Sequence, residues 1–232
     1  HHLFQPLLYQ VATAGLSAPD IAAPLRHILR KQKNVEVRMA AVTGIDAAAK
    51  RIALDDGGSL DFDFLLLASG ATHAYFGNDH WARHAPGLKT LDDALDLRRK
   101  LLLAFERAEA ATDPAEREAW LSFAIVGGGP TGVELAGTLA EIARHTLQDE
   151  FRNIDPAQAK VRLLEAGPRV LASFPEDLSA KAKRQLEKLG VEVALGTPVQ
   201  DINADGYMLG DAFVPAKTVV WAAGVAASPL GA

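Results

Sequence analysis

The apolar positions of this 232-residue chain fall into short strand-like runs that alternate with stretches of helical period. Phe123, Ala124, Ile125 and Val126 form one such run. Val133, Leu135, Ala136, Leu139 and Ala140 follow it at helical spacing. Val161 to Leu164 reads as a buried strand ending at Glu165. A helix capped by Asp177 or Ser179 comes next and stops near Gly190, a C-terminal glycine cap. Val191-Glu192-Val193 starts a further strand. Residues 198–222 read as short strands broken at Asp205-Gly206 and Gly210-Asp211, the last being Val219-Val220-Trp221. The first half is patterned similarly. Asp20 is placed to cap an amphipathic helix through Ile21, Ala22, Leu25, Ile28 and Leu29, with Pro24 in its first turn. Val35-Glu36-Val37 begins a strand. Residues 39–46 and 51–54 read as two more, and a turn at Asp55–Gly58 leads to a third from Leu60 to Ala68. Thr90 and Asp93 form a capping box for a helix over about 91–110, and Asp113-Pro114 opens a short helical turn. Residues 1–20 are apolar without a clear period, 73–89 are loop-like, and 148–158 are polar and irregular.

Two stretches carry the same order of elements. Each has a helix, then Val-Glu-Val (35–37 and 191–193), a V-x-x-I segment (42–45 and 199–202), hairpins and an apolar strand. The closing strands end Leu67-Ala68-Ser69-Gly70-Ala71 and Trp221-Ala222-Ala223-Gly224-Val225. The second copy is preceded by a complete strand–glycine loop–helix–strand entry. The repeat therefore predicts that roughly 20–35 residues of an equivalent entry, with its own glycine loop, lie upstream of His1.

That entry carries the chemistry. Gly127, Gly129 and Gly132 have the G-x-G-x-x-G spacing between a strand and a helix, the context of a dinucleotide-binding fingerprint. One glycine allows the tight turn, one lets the backbone approach a pyrophosphate, and Gly132 lets the helix pack close to the strand, with small Ala136 one turn on. The free N–H groups of the helix start then face the phosphates. The fold this predicts is α/β, with Rossmann-like units that each combine a parallel sheet and an antiparallel β-meander, the first unit incomplete. Glu165 ends the second strand, where a carboxylate accepts hydrogen bonds from ribose hydroxyls and repels a 2′-phosphate, favouring NADH over NADPH. It lies beyond the ~20-residue spacing usual for that carboxylate, and the polar insert at 148–158 accounts for the excess. Glu134, in the first turn of the helix, suits a helix N-terminus on electrostatic grounds alone.

Composition narrows the choices. The net charge of -5 gives no nucleic-acid footprint. The absence of cysteine excludes disulfides, thiolate metal sites and redox thiols within these residues. No apolar run reaches the ~18 residues of a membrane span, and no signal-peptide pattern is visible. The seven histidines show no metal-ligand spacing, so no metal is expected, and His73, His80 and His84 read as solvated surface. Tyr75 and Phe76 read as core.

Together the blocks at 1–17, 20–26, 63–77, 127–137 and 218–225 resemble the two-dinucleotide-binding-domain flavoproteins, the glutathione-reductase-like superfamily. Within it they are similar to type II NADH dehydrogenase, the single-subunit NADH:quinone oxidoreductases. The resemblance covers essentially the whole chain. It implies an internal fragment lacking both ends: an incomplete FAD-binding domain at 1–116, an NADH-binding domain at 117–226, and at 227–232 the start of a return to the FAD domain. It further implies NADH contacts from Gly127, Gly128, Gly129, Pro130, Thr131, Gly132, Glu165, Ala222, Ala223 and Gly224, and FAD-side contacts from Ser69, Gly70 and Ala71. Glu134 would project toward the nicotinamide and flavin rings. Phe4, Gln5, Pro6, Leu7 and Tyr9 lie near a flavin-proximal segment, although apolar packing accounts for most of them. The implied activity is transfer of hydride from NADH to FAD and of electrons on to a quinone. The implied setting is a peripheral protein on the cytoplasmic face of the inner membrane, attached through a C-terminus absent here, with room for a homodimer. Two alternatives stand beside it: a thiol-free NADH reductase of a ferredoxin or rubredoxin, and, for these residues alone, an NADH-binding module without turnover.

Overall fold

The computed structural model describes residues 1–231, so the last position of the expected return segment, Ala232, lies outside the described residues. The chain opens with β1 (His2–Leu3), α1 (Leu8–Ala12), α2 (Ala18–Ile21), β2 (Ala22–Ala23) and α3 (Leu25–Ile28). Strands β3 (Val42–Asp46), β4 (Arg51–Leu54), β5 (Ser59–Asp61) and β6 (Ala71–His73) follow, then α4 (Leu91–Ala110) and α5 (Pro114–Trp120). The second half runs β7 (Ser122–Val126), α6 (Pro130–Glu141), β8 (Lys160–Glu165), α7 (Glu176–Lys188) and β9 (Val191–Leu195). It ends with β10 (Val199–Ile202), β11 (Gly206–Leu209), β12 (Ala212–Pro215), β13 (Thr218–Trp221) and β14 (Val225–Ala227). Compactness divides these residues into two units. The larger comprises Leu3–Ile21 and Ala74–Gly224; the smaller comprises His1–His2, Ala22–His73 and the residues from Val225 on. This division concerns packing, whereas the boundaries at 116 and 226 concern which cofactor each stretch serves.

The larger unit is built on a four-stranded parallel sheet in the order β13-β7-β8-β9. All five residues of β7 are buried, four of them apolar and Ser122 satisfied through the Glu118 carbonyl, as a strand with parallel neighbours on both edges requires. Side chains alternate across it. Phe123 and Ile125 enter a core with Leu97, Leu101 and Phe105 of α4 and Leu135 and Leu139 of α6. Ala124 and Val126 face the other way, into a cluster with Tyr75, Trp81, Tyr207 and Trp221. The crossovers through α6 and α7 carry the chain outward from β7 to β8 and β9. The antiparallel meander β10-β11-β12 then returns it to the opposite side of β7 as β13. The direction of winding changes between β7 and β13, and in open α/β sheets that switch point is where ligands bind.

Helix α4 carries the expected capping box. Thr90 Oγ1 accepts from the Asp93 N–H at 3.1 Å, and the Asp93 carboxylate accepts from the Thr90 N–H at 2.8 Å. Glu109 near its end accepts the backbone N–H groups of Arg152, Asn153 and Ile154 at 3.2, 2.9 and 3.2 Å. One carboxylate thus orders the polar insert, which Phe151 anchors against Phe105.

Several elements depart from expectation. Residues 1–20 contain α1, too short for its period to register in sequence, with Leu8, Val11, Ala12 and Thr13 buried. The expected helix through Ile21–Leu29 is two single turns. Pro24 forces extended backbone on the residue before it, so Ala22–Ala23 is a strand. Asp20 sits inside α2 and reaches back to the N–H and hydroxyl of Ser17 at 2.8 and 2.7 Å. At α7 the N-cap is Pro175, while Ser179 is buried and donates its hydroxyl to the Val170 carbonyl. Gly190 ends that helix at φ +79°, as expected of a C-cap glycine.

The smaller unit holds the meander β3-β4-β5, turning at Gly57 (φ +82°), and the antiparallel pair β6-β14. The repeat is therefore realised as two three-stranded meanders. Its other strands are not formed here. Val35–Val37 is not a strand, β3 begins at Val42 rather than residue 39, and of Leu60–Ala68 only Leu60 and Asp61 join β5. Phe64 and Leu66 are 96% and 89% exposed. Among the described residues no strand pairs with these segments, and an apolar run without a hydrogen-bonded neighbour has no reason to stay extended.

Candidate functional site

Two glycines of the loop are required by the backbone around them, and a third leaves open space. Gly127 has φ +114°, and a side chain there would meet the Ala222 carbonyl carbon at 2.5 Å and the Ala223 Cα at 2.6 Å. At Gly132 an added Cβ would lie 1.9 Å from the Gly127 carbonyl oxygen, so α6 starts in contact with the end of β7. At Gly129, by contrast, a Cβ meets nothing within 4 Å. Gly129 is the N-cap of α6 and supplies no side-chain cap, so the first-turn N–H groups face open space without an acceptor in the helix. The loop is tied down by Gly127 N–H to Leu164 O, Ala222 N–H to Val126 O and Leu171 N–H to Gly128 O, each 2.7 Å.

Glu165 is part of that fastening. Its Oε2 accepts from the Gly128 N–H at 2.6 Å and its Oε1 from the Gly167 N–H at 2.7 Å. The carboxylate lies at the loop, at the end of β8, despite the long interval in sequence, because the insert at 148–158 is accommodated before β8 begins.

A cleft of about 420 Å³ opens at the C-terminal ends of β7, β8 and β13. Gly127, Glu165, Ala166 and Ala223 line it together with Thr197, Pro198 and Val199 and the aromatic side chains of Tyr75, Phe76, Trp81 and Trp221. The rings are locked to one another: Tyr75 stacks on Trp221 at 5.0 Å and Trp81 lies 5.7 Å from it. Trp221 Nε1 donates to Ala74 O at 2.9 Å, Trp81 Nε1 to Asp201 at 3.1 Å, and Tyr75 Oη to Ala85 O at 2.8 Å. Tyr75 is core, as expected. Phe76 is not: it is 72% exposed at φ +52° and lies over Gly224, where an added Cβ would meet its ring at 2.6 Å.

A second cavity, of about 350 Å³, lies at the start of α6. It is lined by Pro130, Thr131 and Glu134 and by Gln5, Tyr9 and Lys89, with Gln5 Nε2 donating to Lys89 O at 3.0 Å. Partial burial raises the pKa of the Glu134 carboxyl above its ordinary range, although the residue as a whole is exposed.

The structure thus brings together Gly127–Gly132, Glu165, Ala222, Ala223 and Gly224 around the switch point, with Glu134 on the adjoining cavity. Ser69, Gly70 and Ala71 belong to the smaller unit, where Gly70 has φ +71° and open space around it. Sequence reading missed Thr197–Val199, Trp81 and Trp221 as cleft residues. The turn chemistry of Gly196-Thr197-Pro198 at the end of β9, a strand neighbouring β8, was the available signal. No group of His, Cys, Asp or Glu among the described residues could hold a metal ion, and no helix is long and apolar enough to cross a membrane.

Known proteins share the sequence and the fold of this chain. The family model described as pyridine nucleotide-disulphide oxidoreductase matches residues 1–232. The chain is 48% identical to the type II NADH:quinone oxidoreductase Ndh of Mycobacterium tuberculosis, over 100% of this chain and 52% of the relative. It is 31% identical to the type II NADH:quinone oxidoreductase of Staphylococcus aureus, over 99% of this chain and 57% of that one. Among solved structures, NDH2 from Plasmodium falciparum in complex with NADH superposes with a TM-score of 0.89 at 25% identity, covering 98% of this chain and 49% of that one. The chain spans about half the length of the relatives it matches.

Proposed function

This chain belongs to the pyridine nucleotide-disulphide oxidoreductase family, and we propose that its larger unit binds NADH and that the whole protein is an FAD-dependent NADH:quinone oxidoreductase. The observation that carries the reading is the start of α6: N–H groups without a side-chain cap beside Gly129, with room for a ligand, in a chain similar to proteins named for NADH. A pyrophosphate fits there because its charge meets the helix N-terminus and its bulk meets no side chain.

In this reading Gly127–Gly132 hold the pyrophosphate. Glu165 accepts from the adenosine ribose hydroxyls, and its charge disfavours a 2′-phosphate. Its two backbone bonds keep it fixed for that task, leaving lone pairs on both oxygens for the ribose. Ala222, Ala223 and Gly224 keep the end of β13 free of bulk, so a nicotinamide ring can approach the backbone. Glu134, on the adjoining cavity at the start of α6, is assigned the orientation of that ring. Flavin, when bound, supplies the two-electron acceptor chemistry. In the smaller unit the open strand end Ser69–Ala71 offers it small residues and a left-handed Gly70. The protein's contribution to hydride transfer is alignment and exclusion of water rather than a side-chain acid or base. The partner is a quinone at the cytoplasmic face of the inner membrane, reached by a peripheral protein that self-associates as a homodimer.

The test is spectroscopic. The full-length protein should be yellow, bleach on anaerobic addition of NADH, and regain its colour with a short-chain quinone. The 232-residue chain alone should bind NADH by tryptophan quenching. A full-length protein that bleaches with NADH yet reduces only ferredoxin would overturn the quinone assignment. Absence of NADH quenching in a folded chain would overturn the reading altogether.

A further inference from the structure

We infer that the larger unit carries a second anion site, for a phosphate group, at the end of the parallel strands opposite the glycine loop. A cavity of about 270 Å³ opens beside the first residues of β13, Thr218 and Val219. The cleft described above lies at the other end of the same strand, beyond Trp221.

The charge of this cavity is one-sided. Arg83, Lys100 and Lys217 line it beside the His84 imidazole, and no carboxylate does, in a chain whose net charge is -5. Lys217 is neutralised by Asp205 at 2.6 Å. Among the described residues the side chains of Arg83, His84 and Lys100 have no hydrogen bond or ion pair. Two acids lie beside the lining: Glu116 accepts from the Trp120 indole at 3.3 Å, and Asp96, 3.9 Å from Arg99, acts on Lys100 through its charge alone, without a hydrogen bond to it. Burial lowers the Lys100 pKa, with the Asp96 charge opposing that shift and the Arg99 charge adding to it. The ammonium has therefore lost water without gaining a hydrogen-bonded partner, and a bound anion would supply one. Asn203 adds a donor, since its Oδ1 is committed to the N–H groups of Asp205 and Gly206 and its amide N–H₂ is not committed.

Size and wall chemistry set the ligand class. The cavity is below the ~300–1,000 Å³ of pockets that enclose drug-sized ligands, so it accepts a phosphate and a few further atoms, not a dinucleotide. Trp120 and Leu103 form an apolar wall, and Leu95 and Leu102 are also exposed on α4. The same phosphate chemistry is offered by a free phosphate compound and by an anionic lipid headgroup.

The test titrates inorganic phosphate at constant ionic strength, with chloride as the replaced anion, following Trp120 fluorescence and the ³¹P line width. A saturable response is expected. Arg83→Gln/Lys100→Gln should weaken it at least tenfold, Lys100→Arg should retain it, and NADH affinity and Tm should be unchanged in each. In parallel, vesicles of phosphatidylglycerol and of phosphatidylcholine are sedimented with the protein. Charge-dependent binding to phosphatidylglycerol alone, lost in the double variant, assigns the phosphate to lipid. A saturable response to inorganic phosphate without vesicle binding assigns it to a soluble compound. If chloride reproduces the response, or the double variant binds both probes like the parent, the site does not exist. NADH binding is read separately, so that outcome leaves the dinucleotide assignment intact.

Discussion

Gly132→Ala and Gly129→Ala add the same methyl group three residues apart, and the structure predicts opposite consequences. At Gly132 the new Cβ would lie 1.9 Å from the Gly127 carbonyl oxygen, and that distance must open to at least 3.0 Å. The obstacle is backbone, so no side chain can rotate away. The start of α6 must move off the end of β7, disturbing a helix whose Leu135, Ala136 and Leu139 are fully or almost fully buried. Overpacking of this kind costs ~1–3 kcal/mol, and a rigid obstacle places it at the upper end. For a chain of this size ~3 kcal/mol lowers Tm by about 6–12 °C. At Gly129 the methyl group enters open space from a backbone (φ -74°, ψ -178°) that alanine adopts readily. The stability change there should stay within about 1 kcal/mol, the cost of alanine as N-cap. The methyl group would, however, occupy the approach to the helix N–H groups, so NADH affinity should fall at least tenfold. Thermal unfolding by circular dichroism and NADH titration by tryptophan quenching separate the two effects. If Gly129→Ala melted as early as Gly132→Ala, or bound NADH like the parent, the division of roles within the loop would be wrong.

Three further outcomes are expected. Glu165→Gln replaces an acceptor of two backbone N–H groups with an amide that can accept only one, which should cost ~1.5–3 kcal/mol and narrow the preference for NADH over NADPH, as read from paired Kd values. Glu134 has its carboxyl pKa raised by burial, so its ionisation opposes folding. The cost is absent below the unfolded pKa and complete above the folded one. Glu134→Gln should therefore gain Tm relative to the parent as pH rises from 4 to 7, and a constant difference across that range would contradict the assignment. Thr90→Ala removes the hydroxyl half of the α4 capping box and should cost ~1 kcal/mol, or about 2–4 °C in Tm, with NADH binding unchanged.

The legible parts of the chain were those whose local pattern and tertiary role coincide. Phe123–Val126 is apolar throughout because β7 is buried on both faces. Thr90 and Asp93 cap α4 by bonds between near neighbours. Gly190 ends α7 because the left-handed turn there suits glycine. Elements were misread where a local signal competes with a single residue or lacks a partner. Pro24 split a plausible amphipathic helix. Phe76 was assigned to the core by its aromatic character, but its left-handed backbone turns it outward across Gly224. The runs at 35–37 and 62–68 have strand composition, but composition cannot supply a neighbouring strand.

At the site the division is similar. The sequence by itself determined the glycine loop, since only glycine at 127 permits the turn and only glycine at 132 permits the close packing of α6. It also placed Glu165 at a strand end. That this carboxylate reaches the loop, that Trp81 and Trp221 wall the cleft, and that Arg83 and Lys100 share a cavity across the strands were decided only by tertiary structure. Those juxtapositions depend on which strands pair and in what order, and pairing is set by packing between residues far apart in the chain.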